Sequence, residues 1–155
     1  MSAREFHFKI MPRWSDLDAN QHVRHSAYAD WATHSRLAWL EEHGFSYKIL
    51  FELRIAPIQF EDTTKYLKEV TLGDEIVIDL QLVGLSHDAS RYHMRQTFRR
   101  GETVCAVYEI KGAWLDVASR RISPPPPGLL EATVNMVRAP EFSEIASARK
   151  VGQAA

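Results

Sequence analysis

Residues 26–43, SAYADWATHSRLAWLEEH, decide the fold, because they form a long stretch that contains neither proline nor glycine and precedes Gly44. A helix of this length would extend about 27 Å at 1.5 Å per residue. Ser26 is the predicted N-cap, Asp30 lies near the first turn, and Gly44 suits the left-handed position after the helix. The apolar positions occupy most of the circumference, which predicts that the helix is covered on more than one side.

Five other segments have the apolar patterns of β-strands. They are residues 4–12, 53–67, 75–85, 91–100 and 103–117. Pro57 predicts that its strand lies at a sheet edge or is bulged, and the segment 103–117 is apolar on both faces, which indicates a central strand. Short turns at Gly73–Asp74 and Arg100–Gly101 favour antiparallel pairing. The predicted class is therefore α+β, with the long helix packed on the sheet.

The chain length fits one domain. Of the 155 residues, the run SPPPPG at 123–128 ends the regular part, and residues 129–138 form at most a short helix. We therefore assign residues 1–139 to a single domain and expect residues 140–155 to be a flexible C-terminal tail.

Charge and composition exclude several classes of partner. The chain carries 19 basic and 20 acidic residues, a net charge of −1, so nucleic acid and anionic membranes are not expected to bind it. No apolar run reaches the roughly 20 residues of a membrane span or has signal-peptide character. The single cysteine, Cys105, lies in an apolar strand and is predicted to be a buried structural thiol. A chain with one cysteine fits a reducing compartment, so we predict a cytoplasmic location.

The loop WSDLDANQHVRH, residues 14–25, concentrates titratable groups just before the helix. The start of a helix offers unpaired backbone N–H groups that stabilise an oxyanion, and a nearby carboxylate can activate water or attack an acyl carbon. Asp18 is the predicted carboxylate, whereas Asp16 is expected to be a loop or capping residue. His22 and His25 are three residues apart, but no further cluster of histidine or cysteine ligands exists, so no metal is expected.

The residues from Arg13 to Gly44 resemble the first motif of hotdog-fold acyl-CoA thioesterases of the 4-hydroxybenzoyl-CoA thioesterase-like group. That pattern runs roughly D-x-D-x-x-G-H-V-N-N-x-x-Y and continues into a long helix containing an arginine. The matching residues are Asp16, Asp18, His22, Val23, Tyr28 and Arg36. Gln21 replaces the usual glycine, and Arg24–His25 replaces the asparagine pair. The Gly73–Asp74 turn and the final segment ending SPPPP are also similar to the family.

The resemblance implies a five-stranded antiparallel sheet wrapped around one long central helix, in a homodimer or homotetramer with shared active sites. It implies hydrolysis of an acyl-CoA thioester without a cofactor, with Asp18 as the catalytic carboxylate. The backbone amide that polarises the thioester carbonyl would come from about His25, with Ser26 adjacent. His22 and Tyr28 are expected to orient Asp18 or the acyl group, although packing roles are equally open. The cations expected to meet the CoA phosphates are Arg91, Arg95, Arg120 and Arg121.

Two alternatives remain open at this point. The segment DANQH at 18–22 loosely echoes the loop of enoyl-CoA hydratases of the same fold, although no proline follows the asparagine. The chain could also bind acyl-CoA without hydrolysing it. Free-thiol release separates both alternatives from a thioesterase.

Overall fold

The computed structural model describes residues 3–147. Its helices are α1 (His25–Glu42), α2 (Tyr47–Glu52) and α3 (Pro127–Val134), and a 3₁₀ turn covers Trp14–Asp16. Its strands are β1 (His7–Ile10), β2 (Ile55–Tyr66), β3 (Ile76–Asp79), β4 (Gln81–Ser86), β5 (Arg91–Arg100), β6 (Thr103–Asp116), β7 (Arg121–Ile122) and β8 (Arg138–Ile145). All eight strands belong to one sheet.

The five predicted strand segments form the body of the sheet, so the class α+β is confirmed. Strand β1 pairs with β3, both β3 and β4 pair with β5, β5 pairs with β6, and β6 pairs with β2, all antiparallel. Strand β6 is central, as predicted, because β2, β5 and β7 all pair with it. Among the described residues, strand β2 pairs only with β6, and it is bulged between Gln59 and Glu61, close to Pro57.

The predicted count of five strands is too low for the described residues. The segment predicted as one strand at 75–85 is broken at Leu80 into β3 and β4. The carboxylate of Asp79 accepts the backbone N–H of Thr97 at 2.8 Å and so replaces a hydrogen bond of the strand ladder. The remaining additions are the two-residue β7 and the strand β8, which pairs with β4 in parallel.

The expectation of a flexible tail from residue 140 is wrong for its first part. Residues 138–145 form β8, with Gly84 opposite Ser143 and Leu85 opposite Glu144. Residues 148–155 of the predicted tail lie outside the described residues.

Helix α1 packs on the sheet through a single stripe of buried side chains, which the 3.6-residue period of the helix brings to one face. The stripe consists of Ala27, Tyr28, Trp31, Ala32, Ser35, Trp39 and Leu40. The N-cap lies two residues earlier than predicted, at Arg24 and not at Ser26. Its end is as predicted: His43 is the C-cap, and Gly44 follows with a φ of +84°, which glycine adopts without strain.

The core between α1 and the sheet also holds Cys105, which is fully buried as predicted. Within residues 3–147, no helix combines the length and the apolar character needed to cross a membrane.

Candidate functional site

The loop before α1 is tied down at both ends by backbone hydrogen bonds. The N–H of Arg24, the N-cap of α1, donates to the carbonyl of Asp16 at 2.8 Å, and Leu17 forms a β-bridge with Val23. The N–H of Val23 donates to Val70 at 2.8 Å, which fastens the loop to the segment after β2. The loop is therefore held beside the first turn of α1.

Asp16 is a structural residue of this loop. Its side chain is 1% exposed, and its carboxylate accepts the backbone N–H of Arg13 at 2.8 Å. The Arg13 guanidinium adds bonds of 3.2 and 3.0 Å to the two carboxylate oxygens. These hydrogen bonds hold the pKa of Asp16 below its ordinary value. The prediction that Asp16 serves as a loop or capping residue agrees with this arrangement.

Asp18 faces the opposite way, towards solvent. Its Oδ1 accepts the backbone N–H of Asn20 at 2.9 Å and that of His22 at 3.2 Å. No hydrogen bond to Oδ2 occurs within residues 3–147. One carboxylate oxygen is thus anchored by two amides, while the other is free to accept a proton or approach an electrophile. Gln21, at the family's glycine position, completes this turn with a φ of +63°.

Asp18 lies in the wall of an open surface cavity of about 860 Å³. Its other lining residues come from the loop and from the turn after β2: Trp14, Ser15, Leu17, Asn20, Gln21, His22, Thr71 and Leu72. Trp14 is 84% exposed and Leu72 is also exposed, so two large apolar side chains border the carboxylate. An apolar group bound here would find both a hydrophobic surface and a carboxylate.

The first turn of α1 offers the expected backbone donors. Within the described residues, no acceptor is recorded for the N–H groups of His25 and Ser26, as is usual at a helix start. The Arg24 guanidinium donates to the hydroxyl of Ser26, which adds positive charge at the same place. Neither His25 nor Ser26 lines the Asp18 cavity in the single chain.

The other two predicted residues of the catalytic group occupy different environments. His22 is exposed, lines the cavity with Asp18 and pairs with Thr71 through a β-bridge. Tyr28 is 3% exposed and its ring packs against Tyr66 and Phe98. Burial raises the pKa of Tyr28 to about 12. Tyr28 is therefore a core residue and does not line the cavity.

The predicted phosphate-binding arginines do not lie beside Asp18 within one chain. Arg95 forms ion pairs with Glu109, at 2.8 Å, and with Glu141. Arg91 packs over the ring of Phe60, with 5.5 Å from Cζ to the ring centre. Arg120 and Arg121 are exposed after the end of β6, where β6 pairs with the start of β2. The Asp18 loop instead contacts Thr71, beyond the opposite end of β2.

A second cavity, of about 170 Å³, lies between α1 and the sheet and shares no lining residue with the first. Arg36 of α1 and Gln59 of β2 are polar members of its wall. In the sequence, Arg36 is distinguished only as part of the family motif. Its position beside the apolar residues of the predicted helix was the sequence feature that could have indicated this cavity. Within the described residues, no group of three or more histidine, cysteine or acidic side chains is placed to hold a metal ion.

Comparison with known proteins agrees with this geometry. The sequence family described as the thioesterase-like superfamily matches residues 12–133, which include the Asp18 loop, α1 and the strands β2 to β7. No curated protein matches the chain.

Many solved structures have the same fold. The hypothetical protein SAV2348 from Staphylococcus aureus, solved in complex with CoA, is 20% identical, with a TM-score of 0.80 over 100% of this chain and 96% of that one. A 1,4-dihydroxy-2-naphthoyl-CoA thioesterase from Synechocystis is 14% identical, with a TM-score of 0.75 over 84% and 96% of the two chains. The gentisyl-coenzyme A thioesterase BH1999 is 19% identical, with a TM-score of 0.72 over 83% and 99%. At these identities the likeness establishes the fold alone.

The match to the family covers most of the sequence and contains the loop, the helix and the sheet that build the site. This chain belongs to the thioesterase-like superfamily.

Proposed function

We propose that the protein is an acyl-CoA thioesterase that converts a thioester and water to a free acid and the CoA thiol. The observation that carries the proposal is the Asp18 carboxylate, which has one oxygen anchored by two backbone amides and the other free in an open cavity beside the start of α1. Thioesterases among the structural neighbours, and the neighbour solved with CoA, support the choice of substrate class.

In this mechanism, Asp18 either removes a proton from the attacking water or attacks the acyl carbon itself. The second route gives a mixed anhydride and releases the CoA thiolate, and water then cleaves the anhydride to the acid and regenerates the carboxylate. In both routes, the N–H groups of His25 and Ser26 would donate to the developing oxyanion. One such donor is typically worth about 3–4 kcal/mol in the transition state.

We assign His22 a positioning role, because its backbone N–H holds Oδ1 of Asp18 at 3.2 Å. The buried Tyr28 has a packing role, because its ring contacts Tyr66 in the core. No step of this proposal needs a metal or an organic cofactor.

We further propose that the active form is a homodimer in which two β2 strands pair edge to edge. Strand β2 has 12 residues and, within residues 3–147, pairs on one side only, with β6. An unpaired edge of this length is a ready template for another strand. Phe60, Tyr66 and Leu67 are exposed along it or just after it, and a second copy would cover them. Homotetramers built from such dimers are compatible with this interface.

Antiparallel pairing of two β2 strands about their midpoint would bring opposite ends together. The strand spans about 36 Å at 3.3 Å per residue, so its two ends are remote within one chain. Tyr66, at one end, donates to the carbonyl of His25 at 3.4 Å, beside the start of α1. The other end carries Pro57 and lies next to Arg121, because Asp116 pairs with both Ile55 and Arg121. Arg120, Arg121 and the Arg36 cavity of one protomer would therefore approach the Asp18 loop of its partner.

We also propose that α1 is the central helix of a hotdog domain. The paired arrangement would explain why the arginines lie far from Asp18 in the single chain. Arg120 and Arg121 are the preferred cations for the CoA phosphates. Arg91 is a second choice, and Arg95 is a weaker one because Glu109 and Glu141 already neutralise it. The proposed location stays the cytoplasm, where acyl-CoA is available.

The test is a thiol-release assay over a panel of aliphatic and aromatic acyl-CoA thioesters, combined with sedimentation analysis. We expect steady release from at least one thioester by a dimeric or larger species. Water addition to an enoyl-CoA, followed by the loss of the enoyl absorbance without thiol release, would instead identify a hydratase. Saturable acyl-CoA binding without turnover over the whole panel would identify a binding protein.

A further inference from the structure

The cavity between α1 and the sheet is a partly open, mostly apolar space with one cation in its wall. Its volume of about 170 Å³ is close to the roughly 150 Å³ of a cavity that binds benzene in another protein. The apolar walls come from both layers, and include Leu37, Leu40, Leu80, Met94 and Ile110. The space fits one aromatic ring or a short acyl chain.

The cation is Arg36, whose hydrogen-bond partners are all neutral. Its Nη1 donates to Gln96 at 2.7 Å, and its Nη2 donates to Thr33 at 3.1 Å and Gln59 at 3.3 Å. A guanidinium has five N–H donors, and within residues 3–147 these three hydrogen bonds leave at most two of them for a ligand. The guanidinium also lies over the ring of Tyr108, with 5.7 Å from Cζ to the ring centre. Burial lowers the pKa of Arg36, which reflects the cost of removing this charge from water.

No carboxylate of the described residues forms an ion pair with Arg36. The acidic residue that faces it is Asp62, whose Oδ2 is already engaged by Gln59 at 2.7 Å and by the hydroxyl of Tyr108 at 3.2 Å. Arg36 is thus a partly buried cation with spare donors and no carboxylate of residues 3–147 within ion-pair distance, and the fork of a guanidinium matches a carboxylate.

We propose that this cavity binds a compact apolar group that ends in a carboxylate, with the carboxylate on Arg36 and the apolar body against the leucine, methionine and isoleucine side chains. In combination with the proposed function, on which this second part rests, the preferred thioesters carry a second carboxylate at the far end of the acyl group. Pro57 and Gln59 of β2 line the cavity, and that end of the acyl group would enter beside them from the partner's Asp18 loop.

The first experiment measures binding of benzoate and of benzamide, its neutral analogue of the same shape, by calorimetry on the full-length protein. We expect the wild type to bind benzoate about tenfold or more tighter than benzamide. Equal affinities, or no benzoate binding, would overturn the proposal without the need for any variant.

The second experiment uses substitutions of the arginine. Arg36→Gln should weaken benzoate binding about tenfold and leave benzamide binding unchanged, whereas Arg36→Lys should retain part of the preference for benzoate. Arg99→Gln is the matched control, because Arg99 is an exposed arginine on β5 outside the cavity. If Arg36 served only to join α1 to Gln96, both ligands would lose affinity together, and the proposal would fail.

The two parts can fail separately. Thiol release should be faster from a dicarboxylic half-thioester of CoA than from the straight-chain acyl-CoA of the same length, and Arg36→Gln should remove that difference. Release from both thioesters at equal rates, without benzoate binding, would refute the carboxylate site and leave the thioesterase proposal intact. If benzoate binding depends on Arg36 but no thioester releases thiol, the thioesterase proposal is refuted and the carboxylate site at Arg36 is retained.

Discussion

Exchanging each of the two aspartates of the motif for asparagine should separate stability from chemistry. Asp16 is buried and accepts three hydrogen bonds from Arg13, whereas Asp18 is exposed and accepts two backbone N–H groups through one oxygen. Because Arg13 donates to both carboxylate oxygens of Asp16, the NH₂ group of Asp16→Asn would face an Arg13 donor in either orientation of the amide. Asp18→Asn keeps an oxygen that can accept both N–H groups.

The expected loss of stability for Asp16→Asn follows from the bond to the backbone. The N–H of Arg13 lies 2.8 Å from Oδ2 of the buried carboxylate, and a hydrogen bond to a charged group contributes about 1.5–3 kcal/mol. The Arg13 side chain is 72% exposed, so its two bonds are discounted. We expect a loss of about 2 kcal/mol, which corresponds to a fall in Tm of about 4–8 °C for a protein of this size. Asp18→Asn should stay within about 0.5 kcal/mol of the wild type.

The assay is urea unfolding followed by circular dichroism, at neutral pH and again in acid. Because the folded-state pKa of Asp16 lies below its unfolded value, its contribution is present above about pH 4 and disappears as the pH falls through the folded-state pKa. The gap between wild type and Asp16→Asn should therefore narrow in acid. Equal stability of wild type and Asp16→Asn at neutral pH, or a difference that widens in acid, would refute the structural role assigned to Asp16.

Four further substitutions, at three positions, test other parts of the account. Phe60→Asp on the β2 edge should shift sedimentation towards the monomer and lower thiol release with it; a fully active monomer would contradict the shared site. Gln21→Gly should leave the urea midpoint nearly unchanged, while Gln21→Val should lower stability by more than about 1 kcal/mol, because φ is +63°. Gly112→Ala should cost at least about 2 kcal/mol, since the new Cβ would lie 2.4 Å from the carbonyl oxygen of Ile58 and 2.7 Å from the Tyr92 hydroxyl; a wild-type midpoint would show that this contact relaxes freely.

Local patterns in the sequence were sufficient for α1 and for the five main strand segments. The helix could be predicted because the uninterrupted stretch and Gly44 act over a few residues. The break at Leu80 could not, because it depends on a hydrogen bond between Asp79 and Thr97, 18 residues apart. Strand β8 was missed because Pro140 argues against a strand and because its more buried positions, Ala139, Phe142 and Ile145, recur every third residue instead of every second.

In the candidate site, too, features formed by neighbouring residues could be predicted, whereas contacts between distant residues could not. The loop with Asp18 could be found from the sequence, because all its members lie within a few residues of the start of α1. The pattern also suggested that Asp16 is the loop residue, but its burial depends on Arg13, whose contact only the folded turn reveals. The Arg36 network joins residues 60 positions apart through Gln96, so the cavity it lines could not be predicted from spacing.

The most direct test of the central claim is the turnover number of Asp18→Asn on the best thioester of the panel, measured by thiol release beside the wild type and Asp16→Asn. A carboxylate that acts as base or nucleophile should contribute about 10²–10⁴-fold, so we expect a loss of at least a hundredfold in a protein that unfolds at the wild-type urea midpoint. A loss of less than tenfold in folded Asp18→Asn would remove this carboxylate from the centre of the mechanism.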